Sequence, residues 1–217
     1  MQSLAQAASG MQDTRNAARA VFGCVRSFAA SASNPVLALL KEVRRFEQGR
    51  KYPQPPLAFG AGRWRAYYHS HPLAGCPAQE HGHFHLFVLG DHSRGVPVWT
   101  HLAALAMDRE GQPLRWFATN RWVTGGAWGE RDWLVHALDA LAPDEEPETL
   151  QRWLAAMAQL YRPELAELLE QRDAQLARAR GGRAADELLG DRRLYELAEA
   201  SIDLGLKLTS QLRGDIT

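Results

Sequence analysis

The sequence has little cysteine, no excess charge of either sign and no long apolar run, and each shortage removes a class of protein. Two cysteines in 217 residues, Cys24 and Cys76, are too few for a disulfide framework or a thiolate zinc site and point to a reducing compartment. The longest apolar stretches, such as Leu102 to Met107, fall well short of the ~18 residues a membrane helix needs, so no membrane partner is expected. The N-terminus lacks the charged start and apolar core of a secretory signal, and the cytoplasm is the expected location. With 25 basic and 25 acidic side chains the formal net charge is zero, so the long-range field that draws proteins onto nucleic acid is missing. Recognition must then be local, which fits a small-molecule substrate. The remaining composition, 46% hydrophobic and 23% charged, is that of an ordinary globular chain.

What the sequence does have is histidine in one place. Of eight histidines, seven lie between His69 and His101 and only His136 stands apart. The surrounding pattern divides the chain into three stretches of one domain. Residues 1–50 read as helical: Asn34 can cap a second helix, Pro35 suits its first position, and Val36, Leu39, Leu40 and Val43 follow at helical spacing, with an end expected near Gly49. Pro53, Pro55, Pro56, Gly60 and Gly62 read as a connection. From Trp64 the period changes to two, and within 51–130 strands are expected from Trp64, over His83–Leu89, and over Val98–Met107 and Leu114–Thr119 around the turn 108–113. Loops are expected around Pro72, Gly75 and Pro77 and over 90–97. In 131–217 the helical period returns: one helix around Trp133 to Leu141, one from Pro147 to Tyr161, one from Pro163 to about Arg180, and one over Asp191–Leu212. The expected fold class is α+β, a small antiparallel meander of about four strands covered by helices from both ends of the chain.

The run Glu80-His81-Gly82-His83-Phe84-His85 is the sharpest chemical signal. Alternate residues of a strand share a face, so His81, His83 and His85 are expected to project together, and imidazoles are costly to bury without a partner that a metal ion can supply. Residues two apart on a strand are ~6.6 Å apart and residues four apart ~13 Å, so two neighbours can meet on one ion and a third ligand must come from elsewhere. His83 and His85 are the preferred pair and His101 the preferred third, with His69, His71 and His81 in reserve. Glu80 and His81 are the candidates for acid–base or orienting roles. An all-nitrogen set suits zinc, iron, copper or nickel, with zinc and iron foremost, and argues against calcium or magnesium. The same run is similar to the histidine-triad nucleotide hydrolase motif, in which the middle histidine, here His83, would attack phosphorus without a metal; Gly82 departs from the large apolar residue of that pattern. His92 and His136 read as ordinary surface histidines.

A second group follows the last strand of the meander: Arg115 and Thr119-Asn120-Arg121-Trp122-Val123-Thr124-Gly125-Gly126. Asn120 and Arg121, together with Arg65 and Tyr67 on the first histidine-bearing strand, could hold an anionic substrate beside the metal, or Asn120 and Thr124 could simply end the strand and cap a helix. Leu165, Leu168, Leu169 and Leu176 make an apolar stripe through which the C-terminal helices would pack on the domain or on a second copy of the chain.

With these residues in view, the chain resembles an uncharacterised bacterial family, a domain of unknown function of about this length. The matching elements are Tyr67-Tyr68-His69-Ser70-His71-Pro72, Glu80 through His85, Thr100-His101-Leu102, Met107 through Pro113, and Thr119 through Gly125. The resemblance marks 50–130 as the important segment and adds no mechanism. The expectation from the residues is a metalloprotein, hydrolase or oxygenase in type; the rival is a non-catalytic metal-binding or interaction protein.

Overall fold

The computed structural model describes residues 2–71, 79–90 and 97–213, with residues 2–9 and Asp144 in backbone alone. The loop expected around Pro72, Gly75 and Pro77, Cys76 within it, and residues 91–96 with His92 lie outside the described residues. The elements begin with α1 (Gln2–Ala30) and α2 (Pro35–Leu40). Five strands follow: β1 (Tyr52–Phe59), β2 (Trp64–His69), β3 (Gly82–Leu89), β4 (Trp99–Met107) and β5 (Pro113–Thr119). After them come α3 (Arg121–Thr124), α4 (Arg131–Asp139), α5 (Thr149–Leu160), α6 (Arg162–Ala179), α7 (Ala185–Leu189), β6 (Glu196–Ser201) and α8 (Leu204–Leu212). The class is α+β. The strands form one antiparallel sheet in the order β1-β2-β3-β4-β5-β6.

The sheet has six strands where the sequence pattern suggests about four, and both additions are at its edges. β1 contains Pro53, Pro55 and Pro56, which cannot donate to a ladder; an edge strand tolerates them because it has a neighbour on one side only. Its pairing skips across the prolines, with Tyr52 opposite Tyr68 and Leu57 opposite Ala66. β6 reads Glu-Leu-Ala-Glu-Ala-Ser, a helix-forming composition within the helix expected over 191–212. The open edge of β5 overrides that propensity by offering a ladder, pairing Arg115 with Ser201 and Phe117 with Glu199. α2 starts as expected, with the Asn34 side chain accepting from Leu37 N–H at 2.8 Å, but ends at Leu40. The Asn34 amide also donates to the Glu110 carbonyl at 3.1 Å, tying α2 to the β4–β5 turn, where Gly111 adopts φ 80° against the Asn34 side chain.

One face of the sheet carries the core. Trp64, Ala66, Tyr68, Phe84, Leu86, Val88, Leu105, Met107 and Trp116 are buried there in one cluster with α1, α5 and α6. α5 is buried almost all round, as expected of a helix between the sheet and a second layer, here α1, which contributes Ala17, Val21, Cys24 and Phe28 at helical spacing. Leu165, Leu168 and Leu169 of the leucine stripe are buried in this same core. Among the described residues, no helix is long and apolar enough to cross a membrane. The helix-covered face leaves the opposite face of β2–β5 to the histidines.

Phe84 has no exposed surface and packs against Tyr68 and Trp153, with ring centroids 4.9 and 6.1 Å apart. Phe84→Ala should therefore cost about 3–5 kcal/mol in urea denaturation, and a loss below about 1 kcal/mol would contradict this placement.

Candidate metal centre

Two register relations build the site. His69 on β2 lies directly across from His83 on β3, and His85 is two residues further along β3 on the same face. A cross-strand pair and an i, i+2 pair together form a triangle, which no three residues on one straight strand can do. His69 Nε2 lies 2.8 Å from His83 Nε2 and 3.1 Å from His85 Nε2. One ligating nitrogen from each of the three lies within 4.8 Å of the others. Nitrogens bound tetrahedrally at ~2.0–2.1 Å are separated by roughly 3.3 Å, which is close to the two His69 separations, so the three rings are placed to meet on one ion. On the β4 side His83 and His85 face Ala106 and Ala104, small residues that leave the rings room.

His83 and His85 each have a second partner that turns the ring. Glu80 Oε1 accepts from His83 Nδ1 at 2.7 Å, which leaves the His83 Nε2 lone pair facing His69. The other Glu80 oxygen accepts from Arg115 Nη2 at 3.3 Å. Burial opposes ionisation of Glu80, but the hydrogen bond and charge of His83 and the charge of Arg115 outweigh it and hold the carboxyl below its ordinary range. His85 Nδ1 lies 2.9 Å from His101 Nε2, and His101 Nδ1 is 3.4 Å from Thr119 Oγ1. When His85 carries the proton between them, its Nε2 lone pair also faces His69.

The environment keeps His69, His85 and His101 neutral. Burial and neighbouring His83 lower His69 to about 3; burial and Arg172 lower His101 to about 3; burial and the surrounding histidines push His85 well below its usual value. Neutral imidazole is the form that binds a metal, so His69 and His85 need lose no proton near pH 7 to serve as ligands.

The convergent three are thus His69, His83 and His85, and His101 stands behind His85. The register explains it: Phe87 pairs with His101 while His85 pairs with Ala104, across a bulge between Leu86 and Phe87. His71 is on the cluster's flank, its ring 4.7 Å from His69 and 5.4 Å from His83, and its Nε2 is buried with no hydrogen-bond partner among the described residues. His71, Glu80 and His81 line a cavity of about 610 Å³ at the end of the strands.

His81 does not share the face of His83 and His85. Gly82 opens β3 without a side chain, and Tyr68 lies over it and accepts or donates a hydrogen bond at 2.8 Å to His81 Nδ1, while Phe46 stacks on the His81 ring at 5.6 Å. The strand alternation that would align three histidines therefore ends at His83. Arg65 stacks over Phe87 and Trp99 at 5.1 and 4.4 Å, and Tyr67 packs on His85 at 5.1 Å with the Lys51 ammonium 4.5 Å from its ring centroid. Burial pushes the Tyr67 hydroxyl up to about 12, so it stays protonated. Asn120 and Arg121 are engaged elsewhere: the Asn120 side chain accepts from Arg121 N–H and donates to the Leu188 carbonyl at 2.9 Å, and Arg121 pairs with Asp186 at 2.9 Å, joining α3 to α7. His136 is exposed on α4. Arg115 belongs to the second group singled out in the sequence, but its partners Glu196 and Glu199 were not legible as site residues, because they sit in a segment that reads as helix and only the β5–β6 ladder brings them near.

The profile of a family described as a domain of unknown function (DUF6969) matches residues 15–202, and the chain belongs to that family. No curated protein and no solved structure matches the chain.

A Cβ at Gly82 would lie 2.5 Å from the His69 carbonyl oxygen and 2.6 Å from the Tyr68 hydroxyl. Gly82→Ala should thus force β3 away from β2 and destabilise the protein by about 1–3 kcal/mol in thermal or urea unfolding; an unchanged midpoint would show that this approach is not tight.

Proposed function

We propose that the protein binds one transition metal ion, zinc or iron, through His69, His83 and His85, and acts as a metal-dependent enzyme of hydrolytic type on a small anionic substrate. The single observation that carries this reading is the convergence of three Nε2 atoms, those of buried His83 and His85 and half-buried His69, the first two turned toward the third by Glu80 and His101. Three imidazoles are an all-nitrogen donor set, which fits a borderline ion of charge two. When bound, such an ion supplies Lewis acidity and open coordination positions.

The chain's own residues supply the rest. Glu80 fixes the tautomer and angle of His83, and His101 does the same for His85. Arg65 and Lys51 place positive charge along Tyr67 on one flank of the cluster, and the Arg65 Nε is buried with no partner among the described residues, a donor suited to a carboxylate or phosphate oxygen. Phe87 and Phe117 pack beside His85 and His83 and keep water off the rings.

Protein purified without a histidine tag and dialysed against zinc or iron should hold one ion per chain by elemental analysis. His83→Ala and His85→Ala should bring the metal to background while His136→Ala keeps it, with far-ultraviolet circular dichroism unchanged in all three because the core lies on the other face. A wild-type chain with no stoichiometric metal and no uptake would overturn the reading.

A further inference from the structure

Arg115 gathers three carboxylates around one guanidinium. Nη1 donates to Glu196 and, at 3.0 Å, to Glu199 Oε2; Nη2 donates to Glu80 Oε2 at 3.3 Å and to Glu196 Oε2 at 3.2 Å. Glu80 and Arg115 are both largely withdrawn from water, with side-chain exposures of 3% and 14%. Glu80 continues to His83 Nδ1, and the guanidinium lies 4.5 Å over the Phe117 ring, which meets the His83 ring edge-on at 5.1 Å. Two paths of direct contact therefore run from Arg115 to a ring of the candidate metal centre.

The group is unbalanced in charge. Three carboxylates around one guanidinium leave two negative charges in excess, and the first group beyond Glu80 is His83, whose other nitrogen faces the proposed ion. A divalent cation on that nitrogen supplies the opposite charge, and it makes the His83 Nδ1–H a stronger donor to Glu80.

β6 also rests on α6, with Leu197 buried and Ala198 and Ala200 half-buried against the core. Its composition favours helix, so its strand form depends on this packing, on the β5 ladder and on Glu196 and Glu199 reaching Arg115. The two glutamates are three residues apart, yet both reach Arg115 because the β5–β6 register shifts between Ala118 and Thr119.

We infer that Arg115 is a positioning residue through which occupancy of the three-histidine centre and docking of β6 stabilise each other. The inference rests on the metal reading above. Coupling of this kind is reciprocal: whatever factor β6 docking adds to ion affinity, the ion adds to β6 docking.

Hydrogen exchange on the full-length chain, with and without Co(II) as the probe ion, tests it. Exchange at Glu196–Ser201 should slow by about 5-fold or more on loading. In Arg115→Met and in the double variant Glu196→Gln/Glu199→Gln that difference should vanish, while protection of β3 and β4 by the ion persists. Arg115→Met should also weaken Co(II) binding by about 10-fold and shift its visible absorption, as expected when a partner orienting a ligand is lost. A guanidinium that merely props the sheet would loosen β6 and leave Co(II) affinity and spectrum alone. Should Arg115→Met fail to fold, the glutamine double variant, which keeps the arginine, carries the exchange test. Wild-type protein that binds Co(II) yet shows identical β6 exchange in both states, or Arg115→Met with affinity within about 2-fold of wild type, overturns the inference and leaves the metal reading intact. Wild-type protein that takes up no ion overturns both.

Discussion

The pairing of β2 with β3 is the constraint on which the rest depends. Setting His69 opposite His83 fixes, in one register, which side chains face the helices and which face each other on the far side. A slip of one residue would exchange the two sets, moving Tyr68, Phe84 and Leu86 away from α5 and the histidines into the apolar core. The burial of Phe84 against Trp153 therefore also enforces the histidine triangle, because the same pleat serves both. The site is built on the interior strands of the sheet, where ladders on both sides hold the backbone to the precision that metal ligands need.

Clustering four imidazoles, three buried and His69 half-buried, has an electrostatic consequence. Each disfavours a proton on its neighbours, and burial disfavours any charge, so His69, His85 and His101 are all held neutral. Neutral rings still need partners for their nitrogens. Glu80 and Thr119 satisfy the outer atoms, and the remaining lone pairs are left pointing inward at one another. Such an arrangement is poor as a self-contained hydrogen-bond network, since three inward nitrogens can share at most the protons the outer partners leave them. The cation proposed for this site would resolve the deficit. Arg115 and its carboxylates form the next layer, and they join the centre to β6, a strand contributed from the far end of the chain after all the large helices.

The central strands were legible in the sequence because they are buried on both faces or alternate cleanly, and β3, β4 and β5 fall within a residue or two of expectation. The helices α4, α5 and α6 were legible for the same reason at the helical period. The two edge strands were not. β1 is rich in proline, and its strand form comes from the β2 edge. β6 is rich in helix formers, and its strand form comes from the β5 edge. Local composition cannot report a partner that lies 80 residues away in the chain.

At the site, the sequence by itself determined that histidines of the meander lie close together, that His83 and His85 share a face, and that any third imidazole converging with them must come from another strand, because each follows from pleating and the rise per residue. Tertiary structure decided which strand. His69 lies directly across from His83, whereas a bulge in the β3–β4 ladder sets His101 opposite Phe87, behind His85. Tertiary structure also decided that His81 leaves the face, since Tyr68 occupies the space that Gly82 leaves open. Register, bulges and the reach of one side chain over another are properties of paired strands, and a single strand's sequence does not contain its partner.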